Sequence, residues 1–301
     1  MTGLPSLKRG RFLVMGRAGL DLYADPPGSR SEQALGFSAA LGGSAANIAV
    51  ALVRQGMQAA LLTCVSDDTV GRFCLNQLDF YGVGRALVRI VGGEARTSLA
   101  VVETRVEDHQ SVIYRNGAAD FQMDRQDVEA ADFGAFDGLI VTGTVFAADP
   151  SRSAAFHALH LARAARMPMI LDLDYRPYSW TSPAFASETL NRAAAICDIV
   201  VGNDVEWGLL AGSPAAGLAK ARAMAGSVPV VVFKMGAEGA VTFGDGAELR
   251  AGIFATEALK PVGAGDGFLG GVVAALARGS GLEAAVLRGS AAAAMVVARV
   301  G

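Results

Sequence analysis

Cysteine is scarce in this 301-residue chain: Cys64, Cys74 and Cys197 are widely separated, sit in apolar surroundings and show no CxxC spacing. That excludes a disulfide framework and leaves buried thiols in a reducing compartment, the cytoplasm, as the expectation. Histidine is equally scarce. His157 and His160 lie three apart in an alanine-rich stretch with no acid or cysteine companion at zinc spacing, and His109 is distant, so no metal set is read from them. A basic excess is also missing. With a formal net charge of -3, the chain offers no general field for nucleic acid or an anionic membrane. No uninterrupted apolar run is long enough to span a bilayer, and the opening "MTGLPSLKRGRFLVMG" has too short an apolar part for a signal peptide. A GxxxxGK[ST] loop is absent, which closes the P-loop route to nucleotides. Neither a low-complexity linker nor a repeat divides the chain.

What the chain does have is apolar residues, at 52%, and 37 glycines, a composition suited to close helix-on-sheet packing. Short β-branched runs ("RFLVMG", "AALLTCV", "FDGLIVTG", "MILDLD", "DIVVGN", "PVVVFKM") alternate with alanine-rich helical stretches. This alternation predicts an α/β fold: one mainly parallel sheet with helices on both faces, spanning residues 1–301 as a single domain. In such sheets ligands bind beyond the carboxyl ends of the strands. One stretch breaks the alternation, because Arg96 to Arg115 reads as two period-2 strands around a polar turn. Together with the segment after the first strand it predicts a small antiparallel β lid, from about 20–40 and 95–117, able to exclude water from a reaction. An edge hairpin with no catalytic part is the alternative.

Several polar groups fall at the predicted strand ends. Asp21 follows the first strand, where a carboxylate can accept hydrogen bonds from adjacent hydroxyls or simply serve a turn. In "LGGSAANIAVALVRQG", Gly42 and Gly43 let a ligand approach the backbone, Ser44 can cap the helix, and Asn47 lies one turn inside it. In "LDLDYRP", Asp172 and Asp174 project from one face if the strand persists, with Arg176 following; an internal salt bridge and a bidentate anion site are both open. Asn203 and Glu206 have the spacing of a capping box, the reading that sequence favours, or could organise a hydrated Mg²⁺ if phosphates are near. Gly236 and Gly239 in "VVFKMGAEGAV" suit a hairpin turn or an adenine nucleotide lying on the backbone.

The densest signal is "KPVGAGDGFLGG", where glycines and Asp266 open a late apolar helix. Unpaired amides at a helix start favour an anion. Gly265, Gly267 and Gly270 also match GxGxxG literally, but the stretch follows "EALKPV" rather than a clean strand and puts Asp266 where a pyrophosphate would have to lie.

Taken in order, Asp21, "GGSAAN", "DLDYR", "NDVE", "KMGAEG" and "GAGDGF" resemble the ribokinase/PfkB carbohydrate kinase family over nearly the whole chain. "GRAGLDLY", "VIYRNGAAD", "LDLDYRP" and "LKPVGAGD" are most similar to its 5-dehydro-2-deoxygluconokinase branch. The resemblance implies ATP-dependent phosphorylation of a primary hydroxyl on a small sugar or sugar acid. It makes Asp266 the catalytic base and the amides of Gly263, Ala264, Gly265 and Asp266 an anion hole. Asp21, Gly42, Gly43 and Asn47 would hold the sugar, with Arg115 and Arg176 suited to a sugar carboxylate. Asn203, Lys234, Gly236, Gly239 and Gly265 would line the nucleotide site, and Glu206 with Asn203 would hold Mg²⁺ through water. A homodimer joined through the lid is a further expectation.

The chain departs from the pattern in places. Lys260 and Pro261 stand where many relatives carry Asp-Thr, which puts a monovalent-cation site in question. Lys234 replaces a small hydroxyl residue, and the chain ends at "MVVARVG", short of a segment that helps form the nucleotide pocket. A neutral-sugar kinase of fructokinase or ribokinase type, a non-catalytic binding protein on the same fold, and a dinucleotide-dependent oxidoreductase remain alternatives.

Overall fold

The computed structural model describes residues 7, 9–105, 110–257, 259 and 262–299. Lys260, Pro261, His109 and the tip of the predicted lid hairpin lie outside them. In chain order the first half runs β1 (Arg11–Met15), β2 (Gly19–Asp25), β3 (Gly36–Gly42), α1 (Ser44–Arg54), β4 (Gln58–Ser66), α2 (Thr69–Tyr81), β5 (Val88–Val91), β6 (Ser98–Val102), β7 (Ser111–Tyr114) and α3 (Arg125–Glu129). The second half runs β8 (Gly138–Thr142), α4 (Ser151–Ala164), β9 (Met169–Asp172), α5 (Pro183–Ala194), β10 (Ile199–Asn203), α6 (Asp204–Ala211) and α7 (Gly217–Met224). It closes with β11 (Val230–Lys234), β12 (Ala240–Gly244), β13 (Ala247–Ala251), α8 (Ala264–Ala277) and α9 (Leu282–Val297).

Nine of these strands form one sheet in the order β13-β12-β11-β10-β9-β8-β1-β4-β5, parallel throughout except at the β11–β12 and β12–β13 hairpins. Both faces are covered, so its strands read as unbroken apolar runs. Phe12, Val14 and Ile140 point into one core with Ile48 of α1 and Leu269 of α8, while Leu13, Met15 and Val141 point into the other with Leu159 of α4. The chain winds outward from β1 through β4 to β5, then returns to build β8, β9, β10 and β11 on the other side. The direction therefore reverses between β1 and β8. A crevice opens beyond the carboxyl ends of strands at such a point.

The second sheet, ordered β3-β2-β6-β7, is the expected small sheet beside the main one. Its β2–β3 and β6–β7 pairs are antiparallel, but β2 and β6 run parallel, with Gly19 beside Ser98. The connection between them passes through β4 and β5 of the main sheet, and a long crossover of that kind can return in the same direction.

Helix α8 is apolar on nearly all sides, as expected of a helix covered all round, and packs between α1 and α9. Its glycines permit this. A Cβ on Gly270 would lie 2.5 Å from that of Ala51 in α1, one on Gly271 would lie 3.0 Å from that of Ala292 in α9, and one on Gly267 would meet Val296 at 2.8 Å. The literal GxGxxG match is thus explained largely by helix-to-helix contact. Among the described residues no helix is long and apolar enough to cross a membrane.

Because Gly270 holds α8 against α1, Gly270→Val should destabilise the fold by about 1–3 kcal/mol through overpacking. Urea unfolding would measure this, and unchanged stability would mean that the helices can separate freely.

Candidate active site

The site gathers at the start of α8. Gly263 has a φ of 88°, a left-handed conformation that glycine adopts readily, and it turns the chain into α8 without a side-chain cap. Among the described residues, the N–H groups of Gly263, Ala264, Gly265 and Asp266 meet no protein carbonyl; the first amide in the turn with such a partner is that of Gly267, which donates to the Gly263 carbonyl at 3.0 Å. Asp266 lies in this first turn and borders a cleft of about 480 Å³ that Tyr23, Asn47 and Val296 also line.

Helix α1 holds that carboxylate from the opposite side. The Ser44 hydroxyl donates to Asp266 Oδ1 at 2.7 Å, and the Asn47 amide donates to Oδ2 at 2.9 Å. Sequence reasoning gave Ser44 to the helix cap. The cap position is instead Gly43, at φ 93°, without a side-chain cap, and Ser44 as the first helical residue turns its hydroxyl toward Asp266. Gly42 and Gly43 are needed for protein contacts too, since a Cβ on Gly42 would strike the Asp21 carboxylate and one on Gly43 the Arg17 carbonyl. Asp21 is buried at that contact.

The ends of β9, β10 and β11 supply the remaining charges. Strand β9 stops at Asp172, and Asp174 adopts a φ of 33°, so the alternation expected for "LDLDYRP" ends there. Both acids are buried. Asp174 pairs with Arg176 at 2.9 Å and accepts from the Thr144 hydroxyl at 3.1 Å. Asp172 lies 3.7 Å from the Lys234 ammonium and 3.3 Å from the Ser44 hydroxyl. Lys234 also stands beside the first turn of α8, because a Cβ on Gly265 would come within 3.0 Å of its Nζ. A helix N-terminus repels a cation. Burial likewise disfavours the Lys234 charge, but Asp172, Glu206 and Asp266 outweigh it and raise the ammonium's pKa.

Asn203 and Glu206 form the capping box of α6. Asn203 Oδ1 accepts from the Glu206 N–H at 2.9 Å, and Glu206 Oε2 accepts from the Asn203 N–H at 2.8 Å. Glu206 Oε1 accepts from the Tyr175 N–H at 3.1 Å, so the residue braces the loop after β9 as well. Burial and the neighbouring Asp172 push the Glu206 carboxyl up to about 7 against the lowering effect of Lys234 and the Asn203 N–H. Among the described residues no group of three or more His, Cys, Asp or Glu side chains is placed to hold a metal ion. A hard cation would need water and ligand oxygens to complete its shell.

Burial and the Asp172 charge likewise push Asp266 up to about 7, against the lowering effect of its bonds from Ser44 and Asn47. Gly236 and Gly239 close the β11–β12 hairpin at φ values of 56° and 88°. Arg115 is placed differently from Arg176: it is buried, paired with Asp120, stacked 4.0 Å over Phe121 and bonded to Ser179 Oγ at 3.2 Å. The half-exposed Arg176 is the more open of the two.

A doubly covered, mainly parallel sheet, a small second sheet and a carboxylate in the first turn of a late helix define a ribokinase-like α/β kinase. The chain belongs to the pfkB family of carbohydrate kinases, whose family model matches residues 11–301. It is 37% identical over 291 residues to a 5-dehydro-2-deoxygluconokinase from Photobacterium profundum, covering 95% of this chain and 88% of that protein. It is 32% identical to one from Shouchella clausii, covering 97% and 91%. Among solved structures it resembles a PfkB protein from Polaromonas sp. JS666, with a TM-score of 0.84, 29% identity and 96% of each chain covered. It also resembles a double mutant of Vibrio cholerae O395 fructokinase bound to fructose, ADP and potassium, with a TM-score of 0.84, 25% identity and coverage of 98% and 94%.

Removing Asp120 leaves the buried Arg115 guanidinium without its carboxylate, which costs about 3–5 kcal/mol in comparable settings. Asp120→Ala should therefore unfold at markedly lower denaturant than the wild type, and equal midpoints would show that the pair is dispensable.

Proposed function

We propose that the chain transfers the γ-phosphoryl group of ATP to a primary hydroxyl of a keto-deoxy sugar acid, 5-dehydro-2-deoxygluconate or a close relative, and that Asp266 is the base. The observation that carries this reading is the Asp266 carboxylate in a helix turn whose first amides meet no protein carbonyl among the described residues, with the Lys234 ammonium beside that turn. The attacking hydroxyl gives its proton to Asp266 as its oxygen bonds to phosphorus, and the bond from phosphorus to the ADP oxygen breaks. Amides of Gly263, Ala264, Gly265 and Asp266, with Lys234, face the charge that builds on the phosphoryl oxygens. An ammonium tolerated at a helix N-terminus suits a site that receives a polyanion.

Asp21 and the Asn47 carbonyl oxygen would accept from sugar hydroxyls, with Gly42 and Gly43 keeping that wall thin. Arg176 would meet the acid group of the sugar, and Arg115 would support the wall behind it. Gly236, Gly239 and Asn203 would border the nucleotide. Glu206 and Asn203 offer oxygen ligands of the kind Mg²⁺ prefers, and because those oxygens already accept from backbone N–H groups they would hold the ion through water, where it would offset phosphate charge. A second copy of this chain would cover the outer face of the lid, where Leu35, Phe37, Val112 and Tyr114 are exposed; sedimentation velocity of the wild type and a Phe37→Ser, Tyr114→Ser variant would show whether that face joins subunits.

Measuring ADP release across acid and neutral sugars tests the reading. Turnover should be much faster with a sugar acid than with neutral sugars, and Arg176→Ala should raise KM for the acid by about tenfold or more while leaving the slow turnover of neutral sugars unaffected. Stabilisation by ligand without ADP release would overturn the proposal.

Asp266→Asn should lower kcat by about 10²- to 10⁴-fold, and wild-type kcat should fall about tenfold per unit below a pH of about 7, where the base becomes protonated. The same shift has a stability consequence of opposite sense. A carboxyl raised in the folded state contributes stability that is present below its unfolded pKa and lost as pH rises through about 7. Asp266→Asn should therefore gain stability over the wild type at a pH of about 8 and little at about 4, as thermal melts at the two values would show.

A further inference from the structure

The Ser44 hydroxyl is buried between two carboxylates, 2.7 Å from Asp266 Oδ1 and 3.3 Å from Asp172 Oδ2. A hydroxyl carries one hydrogen. If Ser44 gives it to the nearer Asp266, its contact with Asp172 is a hydrogen bond only when Asp172 carries a proton to donate. The other oxygen of Asp172, Oδ1, is buried without a hydrogen-bond partner and faces the Lys234 ammonium at 3.7 Å, so no donated hydrogen bond at Oδ1 fixes Asp172 in its ionised form.

We propose that Asp172 and Asp266 share one proton through the Ser44 hydroxyl, with Asp172 holding it while Asp266 stands ionised toward the cleft. This rests on the reading of Asp266 as base. With the proton on Asp172, the chain of donors runs from Asp172 to Ser44 to Asp266, and every hydrogen has an acceptor. Transfer through Ser44 reverses both bonds: Asp172 gives its proton to the Ser44 oxygen, Ser44 gives its own to Asp266, and the base is switched off. Ser44 and Asp172 are then positioning residues, which act on the substrate through Asp266.

The surroundings fit one shared proton. Burial raises both acids, and the Asp172 charge raises Asp266 further. Lys234 of β11 and Arg176 beyond β9 favour ionisation of Asp172, while Asp174 opposes it and Glu206 of α6 adds a further acid to the cluster. On the other side of Asp266 stand Tyr23 and Asp21 of β2, with Arg54 on the cleft wall. Two carboxylates so placed cannot both be ionised cheaply.

The test is the pH profile of kcat for Ser44→Ala, Asp172→Asn and Asp266→Asn beside the wild type. Loss of Ser44 removes a bond to the ionised base, so its acid limb should move up by about one unit; Asp172→Asn imitates the protonated acid that the active form already holds, so its limb should stay close to the wild type, whereas removing an ionised neighbour would move it down by about one unit. Ser44→Thr keeps the hydroxyl and should restore the wild-type limb. If Ser44→Ala does not fold, Ser44→Cys, a weaker donor, should show the same upward shift. A limb that stays fixed in Ser44→Ala, or one that moves down by about one unit in Asp172→Asn, overturns the shared proton. Should Asp266→Asn lose turnover while the other two profiles match the wild type, the base stands and the sharing fails; near-normal turnover in Asp266→Asn removes the base and the sharing together.

Discussion

The hydrogen bonds from Ser44 and Asn47 to Asp266 join points 222 and 219 residues apart in the chain, and the rest of the site depends on them. They fix both oxygens of one carboxylate from one turn of α1. They also bring the start of α1 to the start of α8, an approach that the glycine face of α8 makes possible farther along at Ala51. Fold and chemistry are therefore not separable here. The small residues that let two helices touch also determine where a single acid points.

Charge is the second organising constraint. Asp172, Asp174, Glu206 and Asp266 gather around Lys234 and Arg176, so acids outnumber bases in a site proposed to receive phosphates. Such a cluster is poorly matched to a polyanion on its own, and a divalent cation arriving with the nucleotide would correct the balance. Uncovered amides serve the same end without adding a mobile charge. Desolvation of the acids keeps their protonation near neutrality, where a small change in surroundings changes function.

Much of the architecture was legible in the sequence because its signals are local. Apolar runs separated by alanine-rich helices gave the parallel sheet, the period-2 stretch from Arg96 gave the β6–β7 pair, and "GAGDGF" marked the start of α8. The Asn203–Glu206 spacing was legible as a capping box for the same reason. What could not be read depends on distant contacts. Ser44 looked like a helix cap because its partner Asp266 lies at the other end of the chain. Asp174 looked like a continuation of a strand, since nothing in "LDLDYRP" announces a left-handed residue. Arg115 seemed available to a substrate, whereas its pairing with Asp120 becomes evident only once the loop after β7 folds back. The parallel β2–β6 pair follows from a crossover through another sheet, which no short window contains.

The central claim is that a desolvated carboxylate at the mouth of α8 is poised to take up a proton near neutral pH. An NMR titration of the Asp266 carboxyl carbon, assigned by comparison with the Asp266→Asn protein, measures this directly. The account predicts a midpoint pushed up to about 7. A midpoint in the ordinary aspartate range, near about 4, would contradict it.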